Sequence, residues 1–70
     1  MGLFDGGWPV LRRVIVNTKS GRAFRGVLFR RRRQYLLLRN AELLKPGGET
    51  AALDGEVLVP AENIDFVQAV

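Results

Sequence analysis

The sequence contains neither cysteine nor histidine, and this double absence excludes several kinds of chemistry. Without cysteine there is no disulfide framework, and without either residue the usual ligands of a structural zinc site are missing. The commonest general base and the strongest side-chain nucleophile are missing too. The carboxylates left for acid–base work fall in predicted strands and turns: Glu49, Asp54, Glu56, Glu62 and Asp65. No two of them have a catalytic spacing, so we expect a protein that is not an enzyme and that needs no metal or cofactor.

Long apolar runs are also lacking. No stretch approaches the roughly 20 residues that a membrane-spanning helix needs. Residues 1–10 have neither the basic start nor the apolar run of a signal peptide. We therefore expect no association with a membrane, and a cytoplasmic location.

The small size of the chain limits its stability. Its 70 residues are enough for one domain. A domain of this size buries only about 60% of the surface that its unfolded chain exposes. Small domains usually gain the missing stability from disulfides, metals or partner subunits. Because the first two are excluded, association with further copies of the same chain is the route that remains.

Charges of opposite sign are separated along the sequence. All 11 basic residues lie between Arg12 and Lys45, and no acidic residue occurs between Asp5 and Glu42. From Pro46 onward there are five acidic residues and no basic one. A solvated surface normally mixes the two signs. Either the basic half binds an external anion, or it meets the acidic half of a neighbouring copy.

Apolar residues alternate with polar ones at a period of two, which predicts strands rather than helices. The predicted strands cover residues 11–18, 22–30, 34–41, 56–59 and 64–67, with residues 49–53 as an extension of a hairpin that is interrupted at Asp54-Gly55. The residues predicted to face inward are Phe24, Leu28, Leu36, Leu38, Val57, Val59, Ile64 and Phe66. Gly26, in the middle of the second strand, indicates a sharp bend. The prediction is a small, strongly bent, five-stranded all-β barrel, either SH3-like or OB-like.

Two stretches of the sequence resemble the motifs of Sm and Sm-like proteins. The first stretch carries Val14, Val16, Gly21, Arg22, Phe24, Gly26, Leu28, Leu36, Leu38, Asn40 and Ala41. The second carries Gly55, Val57, Val59, Pro60, Ala61, Asn63 and Ile64. The resemblance covers about residues 11–68, and the Val-Pro-x-x-Asn-Ile ending is most similar to Sm-like proteins of tailed phages. It implies an Sm-like barrel over residues 11–70, preceded by an extended N-terminal arm over residues 1–10.

The resemblance also implies a ring. Members of this family pair the fourth strand of one subunit with the fifth strand of the next, and a ring satisfies both exposed edges of a small open barrel. On this basis we predict a homo-oligomer of about five to seven copies. The residues predicted on the paired edges are Val57, Leu58, Val59, Ile64, Phe66 and Val67.

An arginine-rich segment stands at the position of a loop that binds RNA in this family. The family's Asp and Asn are replaced there by the arginine run and Tyr35, and Pro60-Ala61 replaces the Arg-Gly of the other RNA-binding turn. The uracil-reading groups are therefore not carried over. The segment is instead a candidate site for the phosphates and bases of single-stranded nucleic acid. It comprises Arg30, Arg31, Arg32, Arg33, Gln34 and Tyr35. The alternative is that these arginines extend into solvent.

The arm carries three large apolar residues, Leu3, Phe4 and Trp8, beside glycines and a proline that disfavour a helix. Either its aromatic residues fold back over an open end of the barrel, or they dock on another protein. Two functions stay open. The first is a structural or assembly module that binds other proteins, in a phage particle or during its assembly. The second is a nucleic-acid-binding ring with little sequence preference.

Overall fold

The computed structural model describes residues 7–70, and within them the chain forms six strands joined by turns. The strands are β1 (Arg12–Thr18), β2 (Ala23–Arg31), β3 (Tyr35–Leu44), β4 (Thr50–Ala52), β5 (Val57–Pro60) and β6 (Ile64–Ala69). A single turn of 3₁₀ helix, Ala61–Asn63, joins β5 to β6. In this described part of the chain, no helix is long and apolar enough to cross a membrane.

All the strands join one antiparallel sheet. Its order is β4-β3-β2-β1-β6, and β5 pairs with the first half of β3. β4 and β5 therefore share one edge of β3, with β4 along the second half of that strand. Together they form a single interrupted strand, and the interruption lies beside the bend of β3. With β4 and β5 counted as one strand, the sheet has five strands, and the predicted strongly bent, five-stranded all-β fold is confirmed.

The bend comes from the direct contact of β2 with β3 at Gly26. A Cβ atom on Gly26 would lie 3.0 Å from the Cα of Ala41 and 3.0 Å from the carbonyl oxygen of Arg39, which leaves no room for a side chain. The pairing of the two strands shifts here, so that β3 carries one extra residue. Asn40, with a φ of 52°, takes the left-handed conformation that asparagine tolerates better than most residues. The close backbone approach that Gly26 indicated is therefore present.

One face of the bent sheet forms the core. Its buried apolar residues are Val14, Val16, Leu28, Leu36, Leu38, Ala41 and Val59. The partly buried residues packed against it are Trp8, Val10, Phe24, Leu53, Val57, Ile64 and Val67. These two groups include every residue that the alternation predicted to face inward, except Phe66.

The prediction that Phe66 faces inward is wrong, because its side chain is 52% exposed. The pairing of β1 and β6 shifts by one residue, so that Ile64 lies opposite Thr18 and Phe66 lies opposite Asn17. Such a β-bulge reverses the face on which the following side chains lie. As a result Val67, rather than Phe66, packs against the core.

Candidate functional site

Three strands of the described sheet, β4, β5 and β6, have one unpaired edge each, and only β5 and β6 also carry a large exposed apolar side chain. Among the residues that the structure describes, β5 pairs only with β3 and β6 pairs only with β1. Leu58 on β5 is 58% exposed, and Phe66 on β6 is 52% exposed. Each of these two edges therefore combines free backbone hydrogen-bonding groups with one large apolar side chain. Such an edge is suited to pairing with a strand of another chain.

Leu58 and Phe66 are the two predicted edge residues whose side chains turn outward. The other residues predicted at these edges face the core: Val57, Val59, Ile64 and Val67. Those four are placed to offer backbone groups, rather than side chains, to a neighbouring strand. Fewer side chains than the sequence predicted are therefore available for a contact across the edges.

The arginine segment forms the tip of the β2–β3 hairpin. The backbone N–H of Arg32 donates to the carbonyl of Tyr35 at 2.8 Å, which leaves Arg33 and Gln34 at the tip. The backbone N–H of Ala61 donates to the carbonyl of Gln34 at 2.9 Å. This hydrogen bond holds the tip against the 3₁₀ turn between β5 and β6. The two segments that bind RNA in the family that the sequence resembles thus lie together in this fold.

A pocket of about 260 Å³ opens between the hairpin tip, the 3₁₀ turn and the start of β6, and we call it the arginine pocket. Its lining residues are Trp8, Arg31, Arg32, Arg33, Leu36, Ala61, Ile64, Asp65 and Phe66. A shallower depression of about 340 Å³ adjoins it, lined by Arg33, Gln34, Ala61 and Glu62. Four of the predicted anion-binding residues therefore come together. Arg30 and Tyr35 line neither cavity.

Trp8 forms one wall of the arginine pocket. The guanidinium carbon of Arg31 lies 4.9 Å from the centroid of the indole ring, within the range of a cation–π interaction. Trp8 also packs against the core, and its carbonyl accepts a hydrogen bond from the N–H of Val10 at 2.9 Å. The position of Trp8 thus agrees with the alternative in which aromatic residues of the arm fold back over the barrel. Leu3 and Phe4 lie outside the described residues.

Two other arginines of the sheet are neutralised within the chain. Arg25 forms an ion pair with Glu42 at 2.9 Å, and Arg39 forms one with Glu56 at 2.8 Å. The Arg39 guanidinium also lies 3.6 Å from the centroid of the Phe29 ring. Over residues 7–70, the arginines of the hairpin tip take part in no ion pair. Part of the charge separation is therefore compensated inside one chain, while the tip keeps its positive charge.

Glu42 is a carboxylate with a shifted pKa. Two N–H groups of Arg25 donate to one of its oxygens at 2.9 and 3.0 Å. These hydrogen bonds, with a contribution from Thr50, hold the pKa of Glu42 below its ordinary value. Within the described ranges, no group of three or more acidic side chains is placed to hold a metal ion.

Solved structures resemble this fold, whereas no protein-family model and no curated protein matches the sequence. A heptameric archaeal Sm protein is 27% identical with a TM-score of 0.78, over 87% of this chain and 88% of that one. The SmAP1 heptamer of P. aerophilum is 27% identical with a TM-score of 0.79, over 87% of this chain and 81% of that one. A chain of the NatC complex bound to CoA is 22% identical with a TM-score of 0.77, over 100% of this chain and 90% of that one.

These likenesses show that the chain has an Sm-like fold. Both Sm proteins are heptamers, so the fold is one that forms rings. The likeness to the NatC chain concerns the fold alone. β5 and β6 correspond to the fourth and fifth strands that the sequence predicted over residues 56–59 and 64–67.

Proposed function

We propose that this chain is a non-catalytic subunit of a homo-oligomeric ring, in which β5 of one copy pairs with β6 of the next. The observation that carries the proposal is the pair of open edges, each with one large exposed apolar side chain, Leu58 or Phe66. Two different edges on one chain allow a head-to-tail contact, and such contacts close into a ring when the rotation permits. The likeness to two Sm heptamers supports closure.

Pairing of the two edges would stabilise a chain of only 70 residues. Each contact would satisfy the open backbone groups of one β5 and one β6. Fully burying a leucine or phenylalanine side chain contributes about 1.5–3 kcal/mol. A contact that covers Leu58 and Phe66 therefore supplies stability that the barrel lacks alone.

Within this proposal the ring is a structural or assembly module that binds other proteins. The resemblance of the ending from Val59 to Ile64 to Sm-like proteins of tailed phages supports a place in a phage particle or its assembly, in the cytoplasm of a bacterial host. Residues 11–70 form the ring-building barrel, and residues 1–10 form the arm. Because Trp8 packs on the barrel, Leu3 and Phe4 are the arm residues that we propose to contact a partner protein.

Lysine substitutions on the two edges test the ring. Leu58→Lys and Phe66→Lys each place a charge where two copies would meet, so we expect either change to give monomers with an unchanged circular dichroism spectrum. Leu11→Lys is the matched control, since Leu11 is 57% exposed but lies on neither β5 nor β6. Sedimentation velocity measures the size of each variant. An oligomer that survives both edge substitutions contradicts the proposed contact.

A second candidate function is the binding of single-stranded nucleic acid at the arginine pocket. The observation that favours it is that Arg31, Arg32 and Arg33 converge on one pocket and form no ion pair in the described part of the chain. A ring would repeat this pocket in every copy, and an anion would relieve the resulting repulsion. Guanidinium groups match phosphate oxygens, which carry no sequence information. Such binding would show little preference among sequences.

A triple substitution tests this second function. Changing Arg31, Arg32 and Arg33 to serine should weaken the binding of different short oligonucleotides about equally. The slope of log K against log salt should fall by roughly one for each phosphate that the variant no longer neutralises. The control changes Lys19, Arg22 and Lys45 to serine, which removes the same charge from turns outside the pocket.

Fluorescence anisotropy of a labelled oligonucleotide measures both triple variants. Equal weakening in the two would contradict a localised site. If the wild type binds no oligonucleotide even at low salt, the second function is wrong and the ring proposal is unaffected.

A further inference from the structure

β4 has the third open edge of the sheet, and the proposed ring contact does not use it. Among residues 7–70, β4 pairs only with β3, so no strand of the chain lies along its other side. The proposed ring contact joins β5 to β6 and leaves β4 out. An open sheet edge offers its backbone groups to an added strand. β4 is therefore a place where a different chain can extend the sheet of a closed ring.

The hydrogen bonds around β4 show which of its residues pair with β3. The N–H of Lys45 donates to the carbonyl of Glu49 at 2.8 Å, just before β4. The N–H of Leu53 donates to the carbonyl of Ala41 at 2.9 Å, just after β4. In an antiparallel ladder, hydrogen-bonded pairs alternate with pairs that share no hydrogen bond. Ala51, midway between these two bonds, is therefore the residue of β4 that directs its N–H and C=O groups to β3.

The two other residues of β4, Thr50 and Ala52, direct their backbone groups to the open edge. They lie opposite Leu44 and Glu42 of β3, which in turn pair with β2 on their other side. Thr50 and Ala52 are exposed and small, so a further strand can approach to the usual spacing of about 4.8 Å. β4 contains neither a charged residue nor a proline, with which proteins commonly block such edges. The edge therefore presents the N–H and C=O groups of two residues to an added strand.

Acidic residues flank β4 at both ends. Glu49 directly precedes it and Asp54 lies just beyond it, and both are exposed. Neither forms an ion pair in the part of the chain that the structure describes. Opposite charges on adjoining strands stabilise their pairing, whereas like charges destabilise it. The edge therefore suits an extended segment with lysine or arginine near both ends, and it disfavours the β4 edge of a second copy, which would bring acidic residues together.

We propose that β4 binds an extended segment of a partner protein, with basic residues near both of its ends, as an added strand of the sheet. This inference rests on the proposed function as a module that binds other proteins, and it names the surface and the chemistry of the partner segment. One short edge makes a weak contact, because only the backbone groups of Thr50 and Ala52 take part. A ring repeats the edge in every copy, so a partner with several such segments gains affinity from the high effective concentration.

Amide hydrogen exchange of the wild-type protein tests the added strand directly. The probe is the peptide Lys-Val-Thr-Val-Thr-Lys, and the matched control peptide has glutamate in place of both lysines. At saturation with the probe we expect exchange of the Thr50 and Ala52 amides to slow by about tenfold. The Ala51 amide already bonds to β3 and should change little. Protection at Leu58 and Phe66 instead, or equal protection by the two peptides, would overturn the proposal.

Substitutions at Ala52 separate backbone pairing from bulk. Ala52→Pro removes one outward N–H but no hydrogen bond to β3, a position at which edge strands tolerate proline. We expect it to weaken binding of the labelled lysine peptide about tenfold, measured by fluorescence anisotropy. Ala52→Val keeps the N–H and should bind within about twofold of the wild type. A folded Ala52→Pro variant with wild-type affinity contradicts the proposal, and if this variant does not fold, the exchange of the wild type decides.

A double substitution tests the contribution of charge. Glu49→Gln combined with Asp54→Asn keeps the shape of the edge and removes both flanking charges. We expect it to weaken binding of the lysine peptide about threefold at low salt, and to make the affinity less dependent on salt. Glu62→Gln combined with Asp65→Asn is the matched control, because it removes the same charge from residues outside β4. Equal weakening by the two pairs would show attraction to net charge rather than to this edge.

The Leu58→Lys variant distinguishes this inference from the ring. Its β4 edge is unchanged, so it should bind one lysine peptide as tightly as the wild type does. If the wild type is a monomer and the peptide still protects Thr50 and Ala52, the ring is wrong and the β4 site stands. If the ring forms but the peptide does not bind even at millimolar concentration, the β4 site is wrong and the ring stands. Sedimentation of wild-type rings in pairs that Ala52→Pro separates would also overturn the inference, because a second copy would then occupy the edge.

Discussion

The β2–β3 hairpin and the edges of β5 and β6 differ in how fully a single chain buries their apolar side chains and pairs their backbone groups. In the hairpin, Leu28 and Leu38 lie opposite each other and are fully buried, and Gly26 lets the two backbones touch. At the edges, Leu58 and Phe66 are more than half exposed, and each strand has one side without a partner among the described residues. The difference indicates that folding and association depend on separate residues. Each property can therefore be changed while the other is kept.

The largest expected effect is the loss of stability caused by Gly26→Val in the β2–β3 hairpin. The new Cβ would lie 3.0 Å from backbone atoms of Ala41 and Arg39, which cannot move without breaking the pairing of β2 with β3. We expect the free energy of unfolding to fall by more than about 3 kcal/mol, enough to prevent folding of so small a domain. Ala52→Val, which adds bulk at an exposed position of β4, should leave stability within about 0.5 kcal/mol. Urea unfolding measures both, and a folded Gly26→Val variant of normal stability would contradict the close contact.

A pair of leucine truncations compares the two regions directly. Leu38→Ala leaves a cavity in the core and should cost about 2–5 kcal/mol at every protein concentration. The Leu58 side chain is exposed in a single chain. Leu58→Ala should therefore lower the free energy of unfolding only at protein concentrations at which the chain associates. Urea midpoints measured over a wide range of protein concentration separate the two effects. Equal shifts that are independent of concentration would show that Leu58 stabilises the isolated barrel, contrary to its assignment to the edge.

The smallest expected effect concerns the ion pair on the outer face of the hairpin. Because the Arg25 guanidinium lowers the pKa of Glu42, the ionised carboxylate stabilises the fold at pH values above its ordinary pKa. This stabilisation disappears as the pH falls through the lowered pKa of the folded state. Glu42→Gln should therefore differ from the wild type most at neutral pH and least in acid, and Arg25→Gln should behave similarly. Thermal midpoints measured from neutral to acidic pH test this expectation. A difference between wild type and variant that does not change with pH would contradict the role of the ionised Glu42 carboxylate.

The sequence predicts the hairpin better than it predicts the edges and the pocket. Alternation identifies Leu28, Leu36 and Leu38 as core residues, and Gly26 marks the bend, because these signals are local to β2 and β3. The exposure of Phe66 depends on a bulge in the pairing of β6 with β1, and alternation within one strand does not reveal such a shift. The place of Trp8 depends on the path of the arm across the barrel to Arg31. No spacing between two positions so far apart in the sequence indicates that contact.

The native mass of the wild-type protein at micromolar concentration tests most directly the claim that the two edges pair with each other. Pairing of β5 with β6 predicts a single closed species of about five to seven times the chain mass of 7.8 kDa. The same measurement on Leu58→Lys should give the single chain. A wild-type mass of 7.8 kDa at every concentration would contradict the proposed ring. It would mean that β5 and β6 keep their edges open in solution.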